Sequence, residues 1–147
     1  MATIKRFEEI QSWQKARILN QEIGKLIDAG NFNKNFRLIG QIEGSAGSIM
    51  DNIAEGFERS GNREFIQFLY IAKGSCGEFR SQLYRAIDRS YINNEQFENF
   101  YSLATEIAVL IQKLIDYLQQ SELKGVKYRK PAETEHSNNQ TFKQSNL

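Results

Sequence analysis

The chain has little of what stapled scaffolds and metal sites are made from. Its 147 residues hold one cysteine, one histidine and one proline. A lone cysteine closes no intramolecular disulfide, and one Cys with one His assembles no zinc site, which excludes a disulfide-stapled secreted scaffold and a zinc-finger module. Long apolar runs are missing too. The longest, Phe68 to Ala72 and Ile107 to Ile111, are five residues each, far below the ~20 a membrane span needs. Lys5, Arg6, Glu8 and Glu9 stand where a signal peptide would be apolar, so the expectation is a cytoplasmic protein with no membrane contact. Charge of one sign is also absent. The net charge is +1, and bulk attraction to nucleic acid has nothing to act through.

The scarcity of proline carries the positive signal. Nothing before Pro131 removes a backbone donor from a helix, and only three short polar clusters interrupt the chain: Ala29 to Asn35, Gly56 to Asn62 and Ser90 to Asn94. Between them apolar residues recur with helical spacing. The first segment reads Trp13, Ala16, Leu19, Ile23, Leu26, and the second Ile39, Ile42, Ala46, Ile49, Ile53, Phe57. The third reads Phe65, Phe68 and Leu69, Ala72, Cys76, Phe79, Leu83, Ala86 and Ile87. The fourth runs Phe97, Phe100, Ala104, Ile107, Ile111, Leu114, Leu118, with Asn94 placed to cap its start. Short connections make neighbours antiparallel, so the expected fold is an all-α, up-down-up-down antiparallel four-helix bundle over residues 1–124, with no strand pattern. From Gly125 apolar residues thin out and Asn, Gln, Ser and Thr dominate. Residues 125–147 read as a disordered polar tail.

The chemistry of catalysis is hard to find. His136 falls in that tail, where no rigid shell would hold it for a Ser-His-Asp arrangement. Cys76 takes a core position with no histidine to activate it. The glycines sit in amphipathic helices rather than after a strand, so there is no phosphate loop, and the Glu-x-x-His pairs of bundle-type metal sites are missing. The expectation is a protein without enzymatic activity, cofactor, metal or small-molecule substrate.

Charge is unevenly distributed even though its sum is small. Residues 59–89 carry six cations against three carboxylates, whereas residues 90–122 carry one cation against five. Lys73, Arg80 and Tyr84 fall within about 40° of one another on a flank of the third helix. Arg85 and Arg89 lie nearer the face opposite the core. Lys124, Lys127, Arg129 and Lys130 add a basic segment just before the tail. A basic edge with an aromatic can hold phosphates and stack a base. The competing reading is a solvated face balanced by the acidic fourth helix.

Interior glycines need an explanation, because each costs roughly 0.5–1 kcal/mol against alanine in a helix. Gly40, Gly44 and Gly47 align on the second helix away from its isoleucine stripe, and Gly74, Gly77 and Ser81 do so on the third, beside Tyr70. A second, small-residue stripe points to close approach by another helix. A neighbouring subunit would supply it; relief of crowding within the monomer is the alternative. Asp51, Asn52, Glu55, Glu58 and Arg59 form the densest polar cluster. Gly56 suits the left-handed position that ends a helix, and Glu55, in the last turn, needs a partner such as Arg59 or Arg63. Clamping the turn between helices two and three is the expected role of Asn52, Glu55, Gly56 and Arg59, with ligand binding as the alternative.

Two blocks carry a resemblance. Ser48-Ile49-Met50-Asp51-Asn52-Ile53-Ala54-Glu55-Gly56-Phe57 and Glu64-Phe65-Ile66-Gln67-Phe68-Leu69-Tyr70-Ile71-Ala72-Lys73-Gly74-Ser75, preceded by Phe7-Glu8-Glu9-Ile10 and Trp13-Gln14-Lys15-Ala16, resemble the bacterial four-helix bundle family of 23S rRNA intervening-sequence proteins. The family is also similar to the accessory protein of diversity-generating retroelements, a basic pentamer that binds nucleic acid and a reverse transcriptase. The resemblance covers about residues 5–122 and implies a four-helix bundle and a homo-oligomer, with a pentamer as the expected ring. It implies no enzyme. Many members carry paired basic residues where Glu43 and Gly44 stand here, and a frequent proline is replaced by Met50, which weakens the transfer of nucleic-acid binding. Two functions follow as expectations: an oligomer that binds RNA or a nucleoprotein, and a protein-interaction scaffold with no nucleic-acid contact.

Overall fold

The helical periodicity produces four helices: α1 (Gln11–Asp28), α2 (Phe36–Glu58), α3 (Asn62–Asp88) and α4 (Asn94–Leu123). The structure, a computed structural model, describes residues 2–123 and 142–144. Each helix buries the stripe its spacing marks out. Ala16, Leu19 and Ile23 from α1 meet Ile42, Ala46, Ile49 and Ile53 from α2, with Phe65, Leu69, Cys76, Phe79 and Leu83 from α3 and Ile107, Ile111, Leu114 and Leu118 from α4. Full burial of each large aliphatic or aromatic side chain is worth about 1.5–3 kcal/mol, which makes this shared seam the main source of stability.

Cross-helix contacts fix the directions. Along α3 the partners on α4 run backwards, from Tyr70 with Gln119 through Lys73 with Gln112 to Tyr84 with Phe97. Along α2 the partners on α3 run backwards in the same way, from Arg85 with Gln41 through Gln82 with Ser45 to Ser75 with Ser48. With α1 packed on α2 and α4, the arrangement is the antiparallel four-helix bundle expected from the sequence. One polar pair lies inside it: the Ser45 hydroxyl donates to Gln82 Oε1 at 2.6 Å, both side chains being buried.

Local chemistry sets the ends. Gly30, at φ 84°, takes the left-handed position after α1, and the Asn31 amide returns to the Leu26 carbonyl. Asn35 caps α2 by accepting from the Leu38 amide at 3.1 Å. At the start of α4, Asn93 Oδ1 accepts from the Gln96 amide at 2.8 Å while Gln96 Oε1 accepts from the Asn93 amide at 2.9 Å. This reciprocal capping box makes Asn93, not Asn94, the cap. The connectors also feed the core, for Ile10, Phe32 and Ile92 are buried.

Two features depart from the sequence reading. Gly56 does not end α2 in a left-handed conformation. It is helical and buried, and a Cβ on it would lie 2.6 Å from Phe68 Cβ and 3.0 Å from Phe65 Cδ1. It is glycine because α3 passes too closely for a side chain. The second is a short antiparallel ladder between β1 (Ala2–Ile4) and β2 (Phe142–Gln144), in register Ala2 to Gln144 and Ile4 to Phe142. Three residues per strand satisfy only a few backbone groups, which gives a sequence pattern little to register. Residue 124 and the rest of the expected tail, residues 125–141 and 145–147, lie outside the described residues.

Candidate nucleic-acid interface

The antiparallel packing of α3 on α4 builds a continuous edge out of the basic flank of α3. Lys73 Nζ donates to Gln112 Oε1 at 2.6 Å, and Gln112 Nε2 donates on to Asp116 Oδ1 at 2.9 Å. Two turns along, the Arg80 guanidinium lies 5.6 Å from the centre of the Tyr101 ring, and its Nε donates to the Cys76 carbonyl at 3.4 Å. One turn further, Tyr84 meets Phe97 edge-on at 4.9 Å and Tyr101 at 6.1 Å, while Phe97 and Tyr101 stack at 5.6 Å. Tyr84 remains 51% exposed. Among the described residues neither Lys73 nor Arg80 has a carboxylate within ion-pair distance. Two cations therefore stand on one edge beside an exposed ring.

The other candidate cations do not join them. Arg85 turns toward α2, where Nη1 donates to Gln41 Oε1 at 2.8 Å, and Arg89 sits 5.6 Å from the centre of the Tyr91 ring at the end of α3. Lys124, Lys127, Arg129 and Lys130 lie outside the described residues, as does His136. Sequence reasoning missed Tyr101, Phe97 and Gln112 as members of this edge. The detectable signal was the i, i+4 pair Phe97 and Tyr101 on α4, matched to the i, i+4 pair Arg80 and Tyr84 on α3.

The glycine stripes face outward. Among the described residues, a Cβ at Gly40, Gly44 or Gly74 would meet nothing within 4 Å, and one at Gly47 or Gly77 would meet only Asn20 Oδ1 at 4.0 Å or Arg80 Nη2 at 3.6 Å. None of them relieves crowding inside the monomer. Gly40, Glu43, Gly44, Gly47, Ser48, Asp51 and Asn52 line one shallow open groove along α2. On α3, Gly74 and Ser81 are exposed, and the half-exposed Tyr70 accepts from Gln119 Nε2 at 3.4 Å.

The polar cluster at the end of α2 divides in two. Glu55 and Arg59 pair at 2.8 Å, Arg59 lies 3.9 Å from Glu64, and its guanidinium stands 5.0 Å from the centre of the Phe68 ring, so the contacts cross the turn to α3. The hydrogen bond that Arg59 donates to Glu55, with the Glu55 and Glu64 charges, raises the Arg59 pKa. Asn52 belongs elsewhere: it donates to the Ser48 carbonyl and hydroxyl, and Ser75 donates to the same hydroxyl, in a network between α2 and α3. Cys76 is in the core, and burial pushes its thiol up to about 12, against a lowering by the Arg80 charge. At neutral pH it is a thiol rather than a nucleophilic thiolate. Among the described residues no group of three His, Cys, Asp or Glu is placed to hold a metal ion, and no helix is long and apolar enough to cross a membrane.

The model of the 23S rRNA-intervening sequence protein family matches residues 8–113, which take in α1, α2, α3 and most of α4. The chain belongs to that family. A crystal structure from Bacteroides thetaiotaomicron, described as a protein with unknown function from the S23 ribosomal protein family, is similar to this intervening-sequence family chain at 28% identity. The likeness has a TM-score of 0.65 and covers 71% of this chain and 97% of that one. No curated protein matches the chain. The resemblance seen in the Asn52-to-Gly56 and Phe68-to-Ser75 blocks thus has a family behind it, and those blocks are where α2 and α3 pack through Gly56 and Ser75.

Proposed function

We propose that this intervening-sequence family protein is a non-catalytic cytoplasmic homo-oligomer, a pentameric ring, that binds RNA, free or within a nucleoprotein, through the edge formed by α3 and α4. The observation that carries the reading is the line of Lys73, Arg80 and Tyr84 along one edge, with Tyr101 against the last two: among the described residues, two cations without carboxylate partners on one edge with an exposed aromatic. Phosphates supply the missing counter-charge. Ring symmetry repeats a modest patch several times, and linked weak contacts gain affinity by effective concentration. The outward glycines support the assembly, since three of them have open space where a side chain would stand. The sequence resemblance to the accessory protein of diversity-generating retroelements is the reason for proposing a nucleoprotein as the carrier of the RNA.

Salt dependence tests the binding. Affinity for RNA is expected to fall linearly on a log-log plot, with a slope of about −0.7 for each single-strand phosphate neutralised. Replacing Lys73 by Gln or Arg80 by Gln flattens the slope by about one contact each. Failure to retain any RNA at low salt refutes this reading and leaves a protein-interaction scaffold whose α2 groove serves assembly.

A further inference from the structure

The cations of the edge serve any nucleic acid, but the rings beside them do not. We propose that Tyr84 is a stacking platform for an unpaired base, so that this edge takes single-stranded RNA in preference to duplex; the inference rests on the RNA-binding reading above. Tyr84 is half exposed, yet its ring is braced from behind by Phe97 at 4.9 Å and by Tyr101 at 6.1 Å, which themselves stack. A ring already held in place loses little freedom when a base lies on it. Base-on-aromatic stacking needs a base out of its helix, because in a duplex both faces are already covered.

The charges are placed to receive the strand on one side of such a base. Arg80 is one helical turn from Tyr84 on the same face of α3, and its guanidinium is steadied by the Tyr101 ring and the Cys76 carbonyl. Lys73 lies about 16 Å from Tyr84 along the same helix, a reach of a few nucleotides. Asp116 is an acidic group connected to this edge, and it accepts from Gln112 rather than pairing with Lys73 directly. The result is a linear track, with phosphate-binding points at one end and a stacking surface at the other.

The test uses the full chain and a short fluorescein-labelled oligoribonucleotide of mixed sequence, alone and annealed to its complement. The single strand is expected to bind more tightly than the duplex. Tyr84→Ala weakens single-strand binding by about 5- to 150-fold, the range of one lost stack, and leaves duplex binding unchanged. Tyr84→Phe keeps the ring and restores binding to within about two-fold of wild type. Equal affinity for the two forms, or Tyr84→Ala binding the single strand like wild type, overturns the stacking platform while RNA binding stands. A fall in oligomeric mass in Tyr84→Ala also overturns it and makes this face a contact between copies. Absence of binding to both probes at low salt removes the underlying RNA reading itself.

Discussion

Gly56 and Gly44 stand on one helix and meet opposite surroundings. At Gly56 a methyl group would press on Phe68 Cβ at 2.6 Å, a contact only separation of α2 from α3 can relieve. At Gly44 it would enter open space. The first glycine is spent on the fold and the second is not. Helix propensity penalises both alike, and for the outward glycine no contact among the described residues offsets the penalty. The same contrast separates the two sides of α3. Toward α2 it is tied by Ser75, Gln82 and the close pass at Gly56; toward α4 its outer rim carries Lys73 on Gln112, and Arg80 and the half-exposed Tyr84 against the rings of α4.

The sharpest way to break this comparison is to give both glycines a side chain. Gly56→Ala is expected to destabilise the protein by about 3 kcal/mol, the upper range for overpacking, because a backbone-attached atom cannot rotate away. Denaturant unfolding measures it, and an unchanged midpoint removes the close pass as the reason for glycine. The paired substitution Gly40→Gln with Gly44→Gln is expected to leave helical content intact and reduce oligomeric mass. If mass and helicity both stay at wild-type values, the α2 groove is ordinary solvent surface.

Smaller effects sharpen the picture at the turn and in the core. Glu55→Ala removes the exposed partner of Arg59 and lowers the melting midpoint by less than Gly56→Ala, since an ion pair in water contributes little; an unchanged midpoint contradicts a clamp across the turn. Cys76 gives a pH signature. Its folded pKa lies above the usual value of 9.0, so the unfolded chain loses its proton first, and stability falls as pH climbs from about 9 toward 12. Cys76→Ala flattens that part of the curve. A wild-type curve already flat there means that the thiol is not buried as described.

The four helices were legible because one period, 3.6 residues, runs through proline-free segments and the buried stripes obey it. Features that depend on a second helix were not. A helix wheel places Gly56 near an end and cannot show Phe65 and Phe68 arriving against it, so a steric glycine looks like a terminating one. It groups Lys73, Arg80 and Tyr84 correctly because they share a flank, but it cannot show that Tyr101 and Phe97 lie beneath them, since that depends on the α3 and α4 register. Arg85 left the basic set for a similar reason, drawn by Gln41 on α2. Asn93 and Asn94 are equally suited to cap a helix, and only the return bond from Gln96 distinguishes them. Ile10, Phe32 and Ile92 escaped notice because connectors have no period to read.

Sedimentation equilibrium of the full chain at micromolar concentration tests the outward glycine faces most directly. One chain weighs 17.0 kDa. Copies meeting through the glycine faces give a multiple of that mass, five-fold for the proposed ring, whereas a single species of 17.0 kDa at that concentration contradicts the assembly and leaves those glycines without a structural purpose.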